Sequence, residues 1–509
     1  VPPFQAPDEP DHFLSYAQAV GAPRLADEAA AWSRLGHHER IKFHTEEAFR
    51  PADVGNPFPV AWSAEVFADN TEARSPTTYA IWKTVAHLMT GRSAPRSFLG
   101  IRLVHALLFA LAVGLAALLL MSLPAGSYPQ LAVLPVLLVP TLPFFAMHVS
   151  EFGPLTSFYV LLAAALLALL LDTPRAHLVG FPLGLACALV FASGRSAGPA
   201  AIVASAILVA RIVLGSRRDD GSVSGLRDAA AFWVACAAGS ACFLLLATPA
   251  YRVELSQITG SYAGLAWARA VSAAVSNNSI WIFPASVVAF LAEVGLAAVR
   301  QRYRSAATER LAMWIGYGAA AALLVGLALS VVVTFPTLGL LEVPHPPTLR
   351  HYLRDVLTVM STSFRFGHPD YLLVTTFFAG FGWLDTFPGE WLVSVLVLAS
   401  GLAAVSLLAH LARTRDTRRL FIVVAATVGL AGMLLLNAAA THGMVRNLHG
   451  RYLIGWYAVL LGLAWSAAVL LPIAQGRLAR VRIPRTAWLL TACGAVHAYC
   501  LAVILHRYF

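Results

Sequence analysis

Charge is what this chain has least of. Only 12% of its 509 residues are Asp, Glu, Lys or Arg, about half the share in soluble domains. That deficit argues against an ordinary water-soluble globule. Lysine is almost absent: Lys42 and Lys83 are the only two. The net charge of +10 is therefore nearly all arginine. Such a bias reflects composition more simply than it reflects a nucleic-acid partner, and none is expected. Five cysteines (Cys187, Cys236, Cys242, Cys493, Cys500) all fall inside apolar stretches. They read as small buried hydrophobes, not as disulfides or metal ligands. No phosphate-binding glycine loop, dinucleotide fingerprint, zinc spacing or nucleophile elbow occurs. His37, His38 and His44 lack a ligand spacing.

What is present is apolar residues, 58% of the chain, in long continuous runs. Continuous runs predict helices and argue against a barrel, whose strands alternate. Twelve runs come near the ~20 residues that a bilayer requires. They lie at about 97–121, 128–149, 152–171, 177–193, 196–214, 229–248, 280–298, 311–334, 389–411, 420–438, 453–472 and 487–505. The fold class expected is an all-α polytopic membrane protein.

The arginines set its orientation. Arg217, Arg218 and Arg227 share one connector, and Arg300, Arg302, Arg304 and Arg310 the next. Arg413, Arg415, Arg418 and Arg419 follow, then Arg477, Arg480, Arg482 and Arg485. If the spans alternate, all four connectors fall on one side, which the positive-inside rule makes cytoplasmic. Residues 1–96 and the loops near 249–279, 335–388 and 439–452 are then outside. A chain that starts outside predicts a further span before Val1, about thirteen in all. The domain division expected is an outer cap over 1–96, with interfacial helices at about 11–20 and 76–91, and a transmembrane bundle over 97–509.

The outer segments carry the chemistry. Residues 1–96 hold twelve of the 26 acidic residues. In Pro7-Asp8-Glu9-Pro10-Asp11-His12-Phe13 three carboxylates and a histidine fall within five residues at the membrane edge. Asp8 or Glu9 is a candidate general base, its basicity tuned by partial burial. The structural alternative is a cap on a helix starting near Pro10. The loop Thr441-His442-Gly443-Met444-Val445-Arg446-Asn447-Leu448-His449-Gly450-Arg451-Tyr452 is short and cationic. Arg446, His449 and above all Arg451 are candidates to hold a phosphate; headgroup contact is the alternative. A third cluster is Gly380-Phe381-Gly382-Trp383-Leu384-Asp385-Thr386-Phe387-Pro388. Trp383 is a candidate sugar platform or an interfacial anchor. Asp385 is a candidate substrate ligand or the partner of an outer arginine such as Arg451 or Arg102. Arg102 and His105 lie in the outer half of the first run, and His148 and Glu151 at the turn after the second.

Three stretches taken in order resemble a bacterial branch of the GT-C glycosyltransferase superfamily, a branch of membrane proteins of unknown function. They are Pro2-Pro3-Phe4-Gln5-Ala6-Pro7-Asp8-Glu9-Pro10-Asp11-His12-Phe13, Phe381-Gly382-Trp383-Leu384-Asp385-Thr386 and His449-Gly450-Arg451-Tyr452. Ser75-Pro76-Thr77-Thr78-Tyr79 and Arg102-Leu103 are similar to that branch as well. The resemblance implies a GT-C-like bundle whose first extracytoplasmic loop is catalytic. It implies a polyprenyl-phosphate sugar donor, a glycan or lipid hydroxyl acceptor, and inversion at the anomeric carbon in the bacterial inner membrane. The acid of that loop maps onto Asp8, with Glu9 as neighbour or substitute. His12, Arg102, Glu151, Trp383, Asp385, Arg446, His449 and Arg451 then contact substrate. Where the branch has a serine-rich turn with an aspartate, this chain has Ser150-Glu151-Phe152-Gly153-Pro154, so Glu151 must serve. No soluble cofactor is required, and a divalent cation is compatible with the scheme. The alternatives are a lipid-linked polysaccharide polymerase or ligase, and a lipid-linked-sugar transporter.

Overall fold

The computed structural model describes residues 9–20, 24–31, 93–121, 139–150, 388–414 and 486–508. It also describes scattered positions from 153 to 161, Ala307, Leu311, Trp314 and Arg354, and Phe378, Gly380 and Phe381. Among the described residues all regular elements are helices: α1 (Glu9–Val20), α2 (Ala94–Met121), α3 (Thr141–Ala146), α4 (Glu390–Thr414) and α5 (Thr486–Tyr508). A short helical run also covers 24–31.

Helix α1 begins two residues before the expected start at Asp11. Pro10 sits in its first turn, where a missing N–H leaves no hydrogen bond unmade. Its buried residues Glu9, His12, Phe13 and Tyr16 recur at i, i+3, i+4 and i+7, one face of a helix. Helix α2 covers the first expected span and starts three residues earlier, at Ala94. Its 23-residue stretch Ala94–Ala116 contains an 18-residue window of mean hydropathy 2.1, long and apolar enough to cross a bilayer. The first-turn N–H of Ala94 is received by a distant carboxylate, Glu28 Oε2, at 3.1 Å. An anion there meets both the orphan donors and the positive end of the helix dipole.

Helix α2 is apolar on both faces. Leu99, Leu103, Leu107, Leu111 and Leu115 form an exposed stripe, while Ser97 and His105 are buried beside Phe98, Ile101, Ala112 and Ala116. Polar groups turned inward and leucines turned outward suit hydrocarbon surroundings.

The expected span 128–149 does not run as one helix to its C-terminal end. Within 139–150 the chain makes only the six-residue α3, preceded by Pro140 and closed by a turn at Met147. Two prolines explain the break: Pro140 and Pro143 supply no N–H to a preceding turn. The piece is buried regardless, with Val139, Leu142 and Ala146 fully enclosed.

Helices α4 and α5 cover the expected spans 389–411 and 487–505. Gly389, just before α4, has φ +103°, a conformation that costs a residue with a Cβ dearly. Inside α4, Ser400 Oγ donates to the Leu396 carbonyl at 2.6 Å, which satisfies a hydroxyl within an apolar helix. Helix α5 arrives where α4 departs. Tyr499 donates its hydroxyl to the Pro388 carbonyl at 2.7 Å, and its ring lies 5.7 Å from that of Trp391. One apolar core joins Phe144 and Phe145 of α3, Phe378, Phe381, the start of α4 and the end of α5, with Phe109 of α2 packed against it. Cys500 is free and buried in that core, as expected of a small hydrophobe.

The expected spans 177–193, 196–214, 229–248, 280–298, 420–438 and 453–472 lie outside the described residues, as do the interfacial helix at 76–91 and the loops 249–279 and 439–452.

Candidate functional site

The polar residues of α1 and α2 meet in one buried clamp. Glu9 is fully enclosed. Arg102 donates to it through both arms of its guanidinium, Nε to Oε1 at 2.9 Å and Nη2 to Oε2 at 2.7 Å. Oε1 also accepts the backbone N–H of Val149 at 3.1 Å. An isolated buried carboxylate would be prohibitively costly, and this one has a bidentate cation and a main-chain donor. Arg102 is itself only 14% exposed. Its guanidinium carbon lies 4.7 Å from the centre of the Phe98 ring, so the charge is covered by an aromatic face.

Two turns along α1, Tyr16 meets His105, with the phenol oxygen 3.3 Å from Nε2. The other ring nitrogen, Nδ1, lies 2.6 Å from the carbonyl oxygen of His148. A carbonyl only accepts, so Nδ1 carries the proton, and in the neutral ring Nε2 accepts from the tyrosine hydroxyl. Between these polar contacts Phe13 packs edge-on against Phe98 at 5.3 Å. Gly153 closes over His105 from the following helical turn. A Cβ there would stand 2.5 Å from the His148 oxygen and 2.6 Å from Nδ1, so the position admits no side chain.

The clamp adjoins the apolar core through one turn. His148 lies edge-on to Phe144 at 4.2 Å and to Phe145 at 5.3 Å. Phe144 in turn packs edge-on to Phe381 at 5.2 Å. The turn 147–150 thus touches the acidic motif of α1 on one side and reaches Phe381 through Phe144 on the other.

Of the site residues expected from sequence, the structure brings together Glu9, His12 and Arg102. Glu9 and Arg102 bond each other, and His12 is buried on the same face of α1. Arg102, a candidate partner for Asp385, is occupied by Glu9. Asp8, Glu151, Trp383, Asp385, Arg446, His449 and Arg451 lie outside the described residues. Asp8 directly precedes α1 in sequence, and near Glu151 in sequence the Gly153 N–H is donated to the Ser150 carbonyl at 3.1 Å. Sequence reasoning gave Tyr16 and Glu28 no role and left His105 and His148 only as inward-facing groups. The spacing of Glu9, His12 and Tyr16 on one helical face was the available signal for Tyr16; the cap from Glu28 had none. Among the described residues no group of three His, Cys, Asp or Glu is arranged to hold a metal ion.

The described residues define a helical protein with a buried polar clamp at one end of a membrane-length helix. Comparison with protein-family models, curated proteins and solved structures gave no match.

Proposed function

We propose that the chain is an inverting membrane glycosyltransferase, built as a bundle of about twelve spans in the bacterial inner membrane. It moves a hexose or pentose from a polyprenyl-phosphate donor to a hydroxyl of an extracytoplasmic glycan or lipid. Asp8 takes the proton of the acceptor hydroxyl. The freed oxygen bonds to the anomeric carbon from the face opposite the phosphate. The bond from that carbon to the phosphate oxygen breaks, and its electron pair leaves with the polyprenyl phosphate. Arg451, with Arg446 and His449, receives that charge. Trp383, Asp385 and Glu151 contact the sugar or the acceptor.

The observation that supports this reading is the anchoring of the acidic motif. A twelve-residue helix is marginal by itself, yet α1 is fastened by the bidentate Glu9–Arg102 pair. Asp8 is one peptide bond away, and consecutive Cα atoms are about 3.8 Å apart. The candidate base is therefore covalently joined to a residue held against α2. Glu9, with both oxygens engaged, acts in this reading as a positioning residue, and Arg102 holds it against α2.

The test uses membranes holding the full chain, incubated with a panel of polyprenyl-phosphate sugars. Asp8→Asn is expected to lower kcat by about 10²–10⁴-fold at unchanged protein level, the usual contribution of a general base. Full activity in Asp8→Asn would exclude this mechanism and favour a polymerase or ligase that relies on the outer arginines. Movement of the lipid-linked sugar across sealed vesicles without product would favour a transporter.

A further inference from the structure

The contacts around His105 form a closed ring. Glu9 accepts from Val149. The next residue back, His148, offers its carbonyl to His105 Nδ1. His105 Nε2 meets Tyr16, and Tyr16 returns to Glu9 through seven residues of α1. His105 stands where α1, α2 and the turn 147–150 are joined. Anchored at Glu9 alone, α1 would be free to pivot about its first turn. A second bond at Tyr16, about 10 Å further along the helix axis, fixes its rotation and its tilt. The Phe13–Phe98 contact lies between the two.

We propose that His105 and Tyr16 are positioning residues for the acidic motif: the ring they close holds the first turn of α1 in a single pose relative to α2 and the turn 147–150. The inference deepens the proposed glycosyl transfer and rests on it for its kinetic consequence, but the ring itself is a geometric statement with a readout of its own. Each bond can be removed separately. Tyr16→Phe deletes only the hydroxyl. His105→Asn keeps an N–H donor where Nδ1 stands and loses Nε2, while His105→Gln keeps a polar atom near Nε2 and loses the donor to His148.

The experiment measures amide exchange of the peptide 9–20 in the full chain in lipid nanodiscs, alongside sugar transfer per folded molecule. Tyr16→Phe and His105→Asn are each expected to raise exchange across α1 about tenfold and to lower kcat about tenfold to a hundredfold, the scale of a 1 Å displacement of a reacting group. The KM for the donor should stay within twofold. The double variant should be no worse than either single one, because both break the same bond. Unchanged exchange in Tyr16→Phe would overturn the ring. Raised exchange with unaltered kcat per folded molecule would reduce the pair to simple packing and overturn the positioning role. If the wild-type protein transfers no sugar from any donor, the proposed function fails while the exchange arm still decides the ring.

Discussion

Arg102 grips Glu9 through two parallel hydrogen bonds of 2.9 and 2.7 Å across 93 residues of sequence. Both groups are withdrawn from solvent, so removing Arg102 leaves the buried Glu9 carboxylate without its cation. Arg102→Met is expected to destabilise the fold by about 3–5 kcal/mol, the cost of an unpaired buried charge. Arg102→Lys should recover little, since an ammonium cannot make the two-armed contact. Glu9→Leu combined with Arg102→Met should regain part of the loss. Recovery stays incomplete because the Val149 N–H then has no acceptor. Thermal melting in detergent checks all three; a melting temperature for Arg102→Met equal to wild type would refute the clamp.

Glu28 caps α2 from 66 residues away. Glu28→Ala should cost about 0.5–2 kcal/mol, the range for losing an N-terminal cap. Its other partner, Arg24, is 94% exposed in an i,i+4 pair. Such surface pairs contribute little, so Arg24→Ala should leave stability unchanged. Exchange rates in the first turn of α2 distinguish the two variants: Glu28→Ala raises them and Arg24→Ala does not.

Gly153→Ala places a methyl group into the His148 carbonyl and the His105 ring. Both neighbours belong to the clamp, and one is main chain, so the strain cannot be relieved by a side-chain rotation. Overpacking of this kind costs about 1–3 kcal/mol. The same change at Gly401, where the added carbon would meet nothing within 4 Å, should be neutral or mildly stabilising. Equal melting temperatures for the two variants would contradict the close approach at Gly153.

Phe144 joins the clamp turn to the Phe381 motif. Phe144→Ala should lose about 3–5 kcal/mol, and Phe144→Leu markedly less. Limited proteolysis offers the local check. Cleavage between Phe381 and Pro388 should rise in Phe144→Ala before α4 is attacked, and simultaneous loss of both would place the contact elsewhere.

The helices were the most legible part of the sequence. Continuous apolar runs gave α2, α4 and α5 to within a few residues, because a membrane-length helix needs little beyond composition and length. The break before α3 was written in Pro140 and Pro143, yet the apolar run continued through them and hid it. The acidic motif was recognisable as special, but the choice between an exposed base and a buried ligand for Glu9 depends on whether a cation lies opposite. That cation, Arg102, is far along the chain, and no local pattern announces the pairing. Tyr16 was missed for a related reason: its partner His105 belongs to another helix, and a tyrosine at a helix–membrane edge resembles an ordinary interfacial residue. Asp8, Glu151, Trp383, Asp385, Arg446, His449 and Arg451 rest on sequence alone.

The leucines on the outside of α2 run from Leu99 to Leu115, about 24 Å along the axis at 1.5 Å per residue. Arg102 and His105 fall within that length, on the opposite side of the same rod. Under the proposed membrane placement, whatever solvates the leucines sets the tilt of the beam that carries the clamp. A lipid layer thinner or thicker than the stripe would be accommodated by leaning the helix, and that lean would reach the Glu9 and Tyr16 contacts. Acyl-chain length would then be a dial on this site, and activity should differ between detergents of different micelle thickness.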